Sequence, residues 1–385
     1  MTSSKTLIIA EAGVNHNGDI NRAFDLIDIA AEAGADIVKF QSFRADKLAS
    51  KNAPKADYQI ANADQGADES QYDMLKRLEL SERDHAALIA HCKKRNIAFL
   101  STPFDIDGLH MLVDKFGITT IKLGSSELTN GPILLAAAQT GHKVIFSTGM
   151  GSLNEIKEAL NILAYGYLNK TPPSSRSDFQ NMLNNADALE VLREKVTVLH
   201  CNTAYPTPFE DVNLKAMRTI SDTFGVPTGY SDHTMGIDIS LAAVVMGATV
   251  IEKHFTQDRT LPGPDHKASL QPDELKAMIS AVREAERLIE NNRNVELAEI
   301  LKRPNIQKAL GNGLKAPSAS EKINAHMARK SIMAARHIPA GATLGANDIA
   351  IKRPASGASP MEYWDILNKI VDQTYETDQP LFIST

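Results

Sequence analysis

The chain has 385 residues, 43% of them hydrophobic and 23% charged, a globular balance with more length than one hydrophobic core usually organises. Its formal net charge of −6 argues against a general nucleic-acid binder, which needs a basic surface to displace counterions, but leaves room for an anionic substrate held by local Lys and Arg groups. Only Cys92 and Cys201 occur, too few for a disulfide-stapled fold, and no apolar run reaches membrane-spanning length or resembles a signal peptide, so the expected location is the cytoplasm.

Short runs rich in β-branched residues alternate with longer amphipathic stretches through the first two-thirds of the chain. In chain order the predicted strands are 7–10, 37–41, 98–102, 120–124, 144–148, 196–200, 226–231 and 250–254. Most are continuously apolar, as strands covered on both faces are. Helical patterns occupy 23–33, 82–94, 153–163, 238–246 and 272–291, with Gly34 and Gly247 just past two of them, where a left-handed cap favours glycine. This repetition predicts a (β/α)8 TIM barrel over residues 1–291; a doubly wound sheet is the rival, but no Gly-x-Gly-x-x-Gly turn follows the first strand.

The polar stretch 52–71 reads as a long loop covering the barrel mouth, and 166–190 as a surface excursion with no assigned role. Residues 292–324, with Arg303-Pro304 and Gly311-Asn312-Gly313, read as a linker. Short β-like runs broken by Gly and Pro over 325–385 predict a small β-rich domain, which needs a surface to pack on.

In such barrels the chemistry lies at the C-terminal ends of the strands. Those ends carry, in order, Glu11; Lys39 and Gln41; Thr102; Lys122, Ser125 and Glu127; Ser147; Thr203 and Tyr205; Ser231 and His233; and His254. Lys39, Lys122, Ser125, Ser147 and Ser231 would converge on a cationic, hydroxyl-lined pocket suited to a phosphate and a carboxylate together. His233 and His254 end adjacent strands, which suits either a shared divalent metal (Mn²⁺ foremost, Mg²⁺ or Co²⁺ as alternatives) or two hydrogen-bonded structural imidazoles. Glu11 and Glu127, carboxylates beside cations, suit proton transfer. His85, His91, His110, His142 and His337 read as structural, Cys92 as helix packing and Cys201 as a buried spectator.

Taken together, the motifs AEAGVNHNG (10–18), VKFQ (38–41), LSTPFD (100–105), FSTGM (146–150), LHCNTAYPTP (199–208), GYSDHT (229–234), IEKHFT (251–256), PGPDH (262–266) and KRPASG (352–357) resemble the sialic acid synthase family. The unit at 325–385 looks like that family's antifreeze-like, or SAF, domain. The resemblance implies condensation of phosphoenolpyruvate with an N-acetylated amino-sugar aldehyde and water, giving a nonulosonic acid and phosphate. It implies metal ligation by His233 and His254, and phosphoenolpyruvate binding by Lys39, Lys122, Ser125, Ser147, Thr203 and Ser231. Gln41, Thr102, Glu127, Tyr205 and Asp265 fall where the family holds the sugar, and Glu11 would handle the proton of the water. Arg353 matches an arginine that reaches the sugar in a partner subunit's barrel, implying a domain-swapped homodimer. Ser126 replaces a usual glycine, and Met327 stands where some members pack a phenylalanine on the N-acetyl group. Two sugars remain open: N-acetylmannosamine, giving N-acetylneuraminate, and 2,4-diacetamido-2,4,6-trideoxymannose, giving N,N'-diacetyllegionaminate. The rivals are a class I aldolase using Lys122 or Lys39 as a Schiff base, and a non-catalytic carbohydrate-binding protein.

Overall fold

A computed structural model describes residues 5–51, 53–55 and 70–382. The apolar runs become β1 (Leu7–Gly13), β2 (Ile37–Ser42), β3 (Ala98–Pro103), β4 (Thr120–Leu123), β5 (Lys143–Ser147), β6 (Val196–Cys201), β7 (Thr228–Asp232) and β8 (Val250–His254). All pair in parallel in the order β3-β2-β1-β8-β7-β6-β5-β4, and β3 and β4 lie side by side across the remaining seam. The last strand therefore returns to the first, as a barrel requires. β7 and β8 approach closely at Gly229, where a Cβ would sit 2.4 Å from the Val250 carbonyl oxygen. Only glycine fits that contact.

Alternation along each strand explains both faces. Ile8, Ala10, Val38 and Phe40 point outward into a core shared with the helices Ile20–Ala33, Asp238–Val245 and Pro272–Glu290. Ile9, Ile37, Leu100, Ile145, Leu199 and Val250 point inward and plug the barrel with an apolar layer. Gly34, at φ 86°, caps the first helix as its position predicted. Among the described residues no helix is long and apolar enough to cross a membrane.

Residues 292–324, read from the sequence as a linker, carry regular structure. They contain the helices Asn294–Leu301 and Pro304–Ala309, and most of Ala319–Ala328. Pro304 opens its helix at the first position, where a missing N–H costs nothing, and Ile306 and Ala309 are fully buried in the barrel's outer core. Only 310–318 crosses to the terminal unit without regular structure.

That unit pairs β9 (Ser331–Ala334) antiparallel to β10 (Ile349–Lys352) over a core of Ile332, Ile338, Leu344, Ile366, Val371, Tyr375 and Leu381. It docks on its own barrel. Trp364 packs edge-on to Phe179, and a Cβ on Gly131 would lie 2.7 Å from the indole. The Arg176 N–H donates to Asp365 at 2.9 Å, so the 166–190 excursion serves as part of the docking surface. Positions 52 and 56–69 of the expected mouth loop lie outside the described residues.

Candidate active site

The site begins one layer above the apolar plug. Two positions on from Ile9, Ile37, Leu100, Ile145 and Val250, the same inward faces present Glu11, Lys39, Thr102, Ser147 and Glu252 around one cavity. Lys122 joins them from β4. Lys39 Nζ lies 2.8 Å from Glu11 and 3.5 Å from Glu252, and donates to Thr102 Oγ1 at 3.1 Å. Lys122 Nζ donates to Ser147 Oγ at 2.8 Å and to the Leu123 carbonyl at 3.1 Å, and lies 3.5 Å from Glu252. Ser231 donates to Glu252 at 2.9 Å.

These neighbours set the charges. Burial pushes the Glu11 carboxyl up to about 7, against the pull of Lys39. Burial would raise Glu252 as well, but Lys122 and Lys39 together hold it well below the usual range. Lys39 is raised because Glu11 and Glu252 outweigh its burial, whereas burial lowers Lys122. The floor is thus two buried cations, one fixed carboxylate, and one carboxylate able to exchange a proton near neutrality.

Above the floor, the His233 and His254 ring centroids are 5.6 Å apart. The His233 Nδ1–H donates to the Asn202 carbonyl at 2.5 Å, which turns Nε2 and its lone pair toward Tyr205 OH, 3.1 Å away. Burial lowers His233 to about 4 and holds His254 well below the usual imidazole range, so both rings are neutral. His254 Nδ1 is buried without a hydrogen-bond partner among the described residues. Neutral imidazoles, one with an unpartnered nitrogen and one whose Nε2 faces only hydroxyls, fit a divalent cation. No cluster of three or more His, Cys, Asp or Glu side chains suited to a metal occurs among the described residues, so such an ion would complete its shell with substrate and water.

Ser125 Oγ accepts from the Gly149 N–H at 3.0 Å, and the buried Thr203 Oγ1 has no partner among the described residues. Gln41, Tyr205, Asp265, Met327 and Arg353 complete the upper wall. Burial raises the Asp265 carboxyl to about 6, opposed by Lys39.

Two of the expected site residues take distinct places. Glu127 does not line the cavity: it is fully buried, 2.7 Å from Lys330 and accepting from Ser126 and Asn130. The short helical turn Ser125–Glu127 brings Ser125 and Ser126 to the cavity and sends Glu127 toward the terminal unit. Arg353 lines the cavity of its own chain. Its backbone bonds to Leu48 and Ser50 lay the segment along the barrel mouth, and its guanidinium lies 5.7 Å from the Phe104 ring centroid.

The side chains expected to be structural include His85, bonded to Ser42 and Ser81; His91, paired with Asp28; and His110, paired with Asp114. His337 pairs with Glu376, and Cys201 is buried with its sulfur 3.2 Å from Ser125 Oγ. Sequence reasoning left Glu252 without a role, although its place two residues before His254 puts it on the same inward face. It also missed the apolar rim of Val14, Leu48, Met74, Leu75 and Leu78, three of whose members come from the helix Gln71–Leu78.

Comparison with known proteins adds independent findings. The NeuB family model matches residues 26–294, and the SAF domain model matches 329–384. The N,N'-diacetyllegionaminic acid synthase of Campylobacter jejuni is 46% identical over 97% of this chain and 98% of that protein. The N,N'-diacetyllegionaminic acid synthase of Legionella pneumophila is 40% identical, over 95% of this chain and 90% of its own length. Among solved structures, the spore coat polysaccharide biosynthesis protein SpsE of Bacillus subtilis superposes with a TM-score of 0.76 at 29% identity, covering 99% of this chain and 94% of that one.

Proposed function

Since the chain belongs to the NeuB family, we propose that it condenses phosphoenolpyruvate with 2,4-diacetamido-2,4,6-trideoxymannose and water to give N,N'-diacetyllegionaminate and phosphate. The observation that carries the reaction class is the paired Lys39 and Lys122 on the cavity floor, ringed by hydroxyls, beneath two neutral imidazoles. The apolar rim favours this sugar over N-acetylmannosamine. Val14, Leu48, Met74, Leu75, Leu78 and Met327 suit a C6 methyl and two acetamido methyls better than a hydroxymethyl group. The names of the two legionaminic acid synthases above support the same choice.

In this account Lys39 and Lys122, with Ser125, Ser147, Thr203 and Ser231, hold the carboxylate and phosphate of phosphoenolpyruvate. Gln41, Thr102, Tyr205, Asp265 and Arg353 orient the open-chain sugar. A divalent cation on His233 and His254, with Mn²⁺ the best match to two imidazoles and oxygen, would supply Lewis-acid polarisation of the aldehyde. C3 of phosphoenolpyruvate bonds to the aldehyde carbon, leaving its oxygen as an alkoxide. Water adds at C2 and gives one proton to Glu11, which returns it to that alkoxide. The C2 hydroxyl then gives its remaining proton to the departing phosphate as the bond between C2 and the phosphate oxygen breaks, leaving the C2 ketone. Glu252 keeps its charge and stabilises the cationic character that develops at C2. Glu127 acts at one remove, by anchoring Lys330. A homodimer exchanging terminal units would bring the same Arg353 to an identical mouth, so the sugar contact does not depend on which chain supplies it.

Burial lowers Lys122, which also fits a Schiff-base aldolase. Incubation with phosphoenolpyruvate and the diacetamido sugar separates the two readings. Phosphate release that stops with EDTA and returns with Mn²⁺ supports condensation. Chelator-indifferent turnover, with borohydride trapping of pyruvate on Lys122, contradicts it.

A further inference from the structure

The segment joining the barrel to the terminal unit sends one buried carboxylate into the anion pocket's supporting loops. Glu321, in the first turn of the helix Ala319–Ala328, is 2% exposed. One oxygen accepts the Ser318 N–H at 3.0 Å and closes a capping box. The other accepts two backbone N–H groups from different strand-end loops, Met150 at 2.6 Å and Thr203 at 3.2 Å. Both residues line the cavity, beside Ser147 and Ser125.

Each contact reaches further than the bond itself. Met150 adopts φ 60°, a left-handed conformation that is strained for a non-glycine residue. Glu321 holds its N–H while Arg329, at the end of the same helix, donates to its carbonyl at 2.8 Å. The Thr203 N–H belongs to the peptide whose other end, the Asn202 carbonyl, receives the His233 Nδ1 proton. One carboxylate therefore fixes the loop behind Ser147 and the peptide that orients His233. Lys315, buried nearby, ties the same segment to the Thr148 carbonyl at 2.6 Å.

We propose that Glu321 is a positioning residue for phosphoenolpyruvate binding, through which docking of the connecting helix assembles the anion pocket and the His233 imidazole. This inference rests on the proposed condensation. Before the terminal segment docks, the Met150 turn lacks the acceptor that balances its strain and the Asn202–Thr203 peptide is free to tilt. The anion site then forms only when the mouth closes.

The test is calorimetric phosphoenolpyruvate binding to the full-length Mn²⁺-loaded protein without sugar, paired with KM values for both substrates, in Glu321→Asp and Glu321→Gln. Aspartate keeps the charge and is a good capping residue but is one methylene too short to span both loop amides. Glutamine keeps the reach and one carbonyl acceptor. Loss of these shared bonds should weaken phosphoenolpyruvate binding about tenfold in Glu321→Asp, with the sugar KM within about twofold and Glu321→Gln within about threefold of wild type throughout. A pure helix-capping role predicts the reverse order, with Asp tolerated better than Gln. That order, or wild-type phosphoenolpyruvate affinity in Glu321→Asp, or parallel losses for both substrates, overturns the inference. Absence of binding to the wild-type protein would instead overturn the proposed reaction, and this inference with it.

Discussion

At the residue scale, Glu11 and Glu252 sit in one cavity yet titrate in opposite directions. Glu252 meets two ammonium groups, whose attraction exceeds the cost of burying its charge. Glu11 meets Lys39 alone at close range and feels Glu252 as a like charge, so burial prevails and its carboxyl rises to about 7. A raised carboxyl is protonated below that value and accepts a proton above it. With Glu11 as the proton acceptor, kcat/KM should rise with pH through about 7. Glu11→Gln should lose that limb and roughly a hundredfold or more in kcat. An unchanged pH profile in Glu11→Gln would move the role elsewhere. Arg353 offers a second test, because its guanidinium enters the upper cavity and stays off the lysine floor. Arg353→Ala should raise the sugar KM about tenfold and leave the phosphoenolpyruvate KM nearly unchanged. Equal effects on both substrates would contradict that placement.

At the element scale, the barrel strands were legible because their signals are local. Apolar, β-branched runs mark strands buried on both faces, and a period of two separates plug residues from site residues. The same period locates Glu252, since Val250, Glu252 and His254 share one face. The placement of Glu127 was not legible because a strand-end position says nothing about the turn that follows, and Ser125–Glu127 turns that side chain toward Lys330. The apolar rim and the Glu321 latch were illegible for a deeper reason. Met74 and Glu321 gain their meaning from strand ends distant in sequence, and no local pattern encodes such meetings. The buried Lys330–Glu127 pair likewise joins the terminal unit to the barrel. Lys330→Ala would strand a buried carboxylate and should destabilise docking by about 3–5 kcal/mol. Trp364, the single tryptophan, lies in the docking interface, so its fluorescence during urea denaturation reports the loss. A change below about 1 kcal/mol would mean that the charge is relieved by solvent.

At the scale of the whole molecule, a barrel supplies the floor of the site and a second unit supplies its roof. Phosphoenolpyruvate would bind to strand-end residues backed by the plug, where geometry is most rigid. The sugar would meet Met327 and Arg353, brought by the connecting helix and terminal unit, together with the apolar rim over the mouth. This division places substrate choice in the roof and the chemistry in the floor. The most direct measurement is phosphate release from phosphoenolpyruvate with each sugar in turn, using the full-length protein with Mn²⁺. The account predicts sugar-dependent release with a kcat/KM at least about tenfold higher for 2,4-diacetamido-2,4,6-trideoxymannose than for N-acetylmannosamine, the margin that a buried methyl pair gives over a misfitting hydroxyl. Equal or reversed preference would contradict the apolar rim as the selecting feature, and no phosphate with either sugar would contradict the reaction itself.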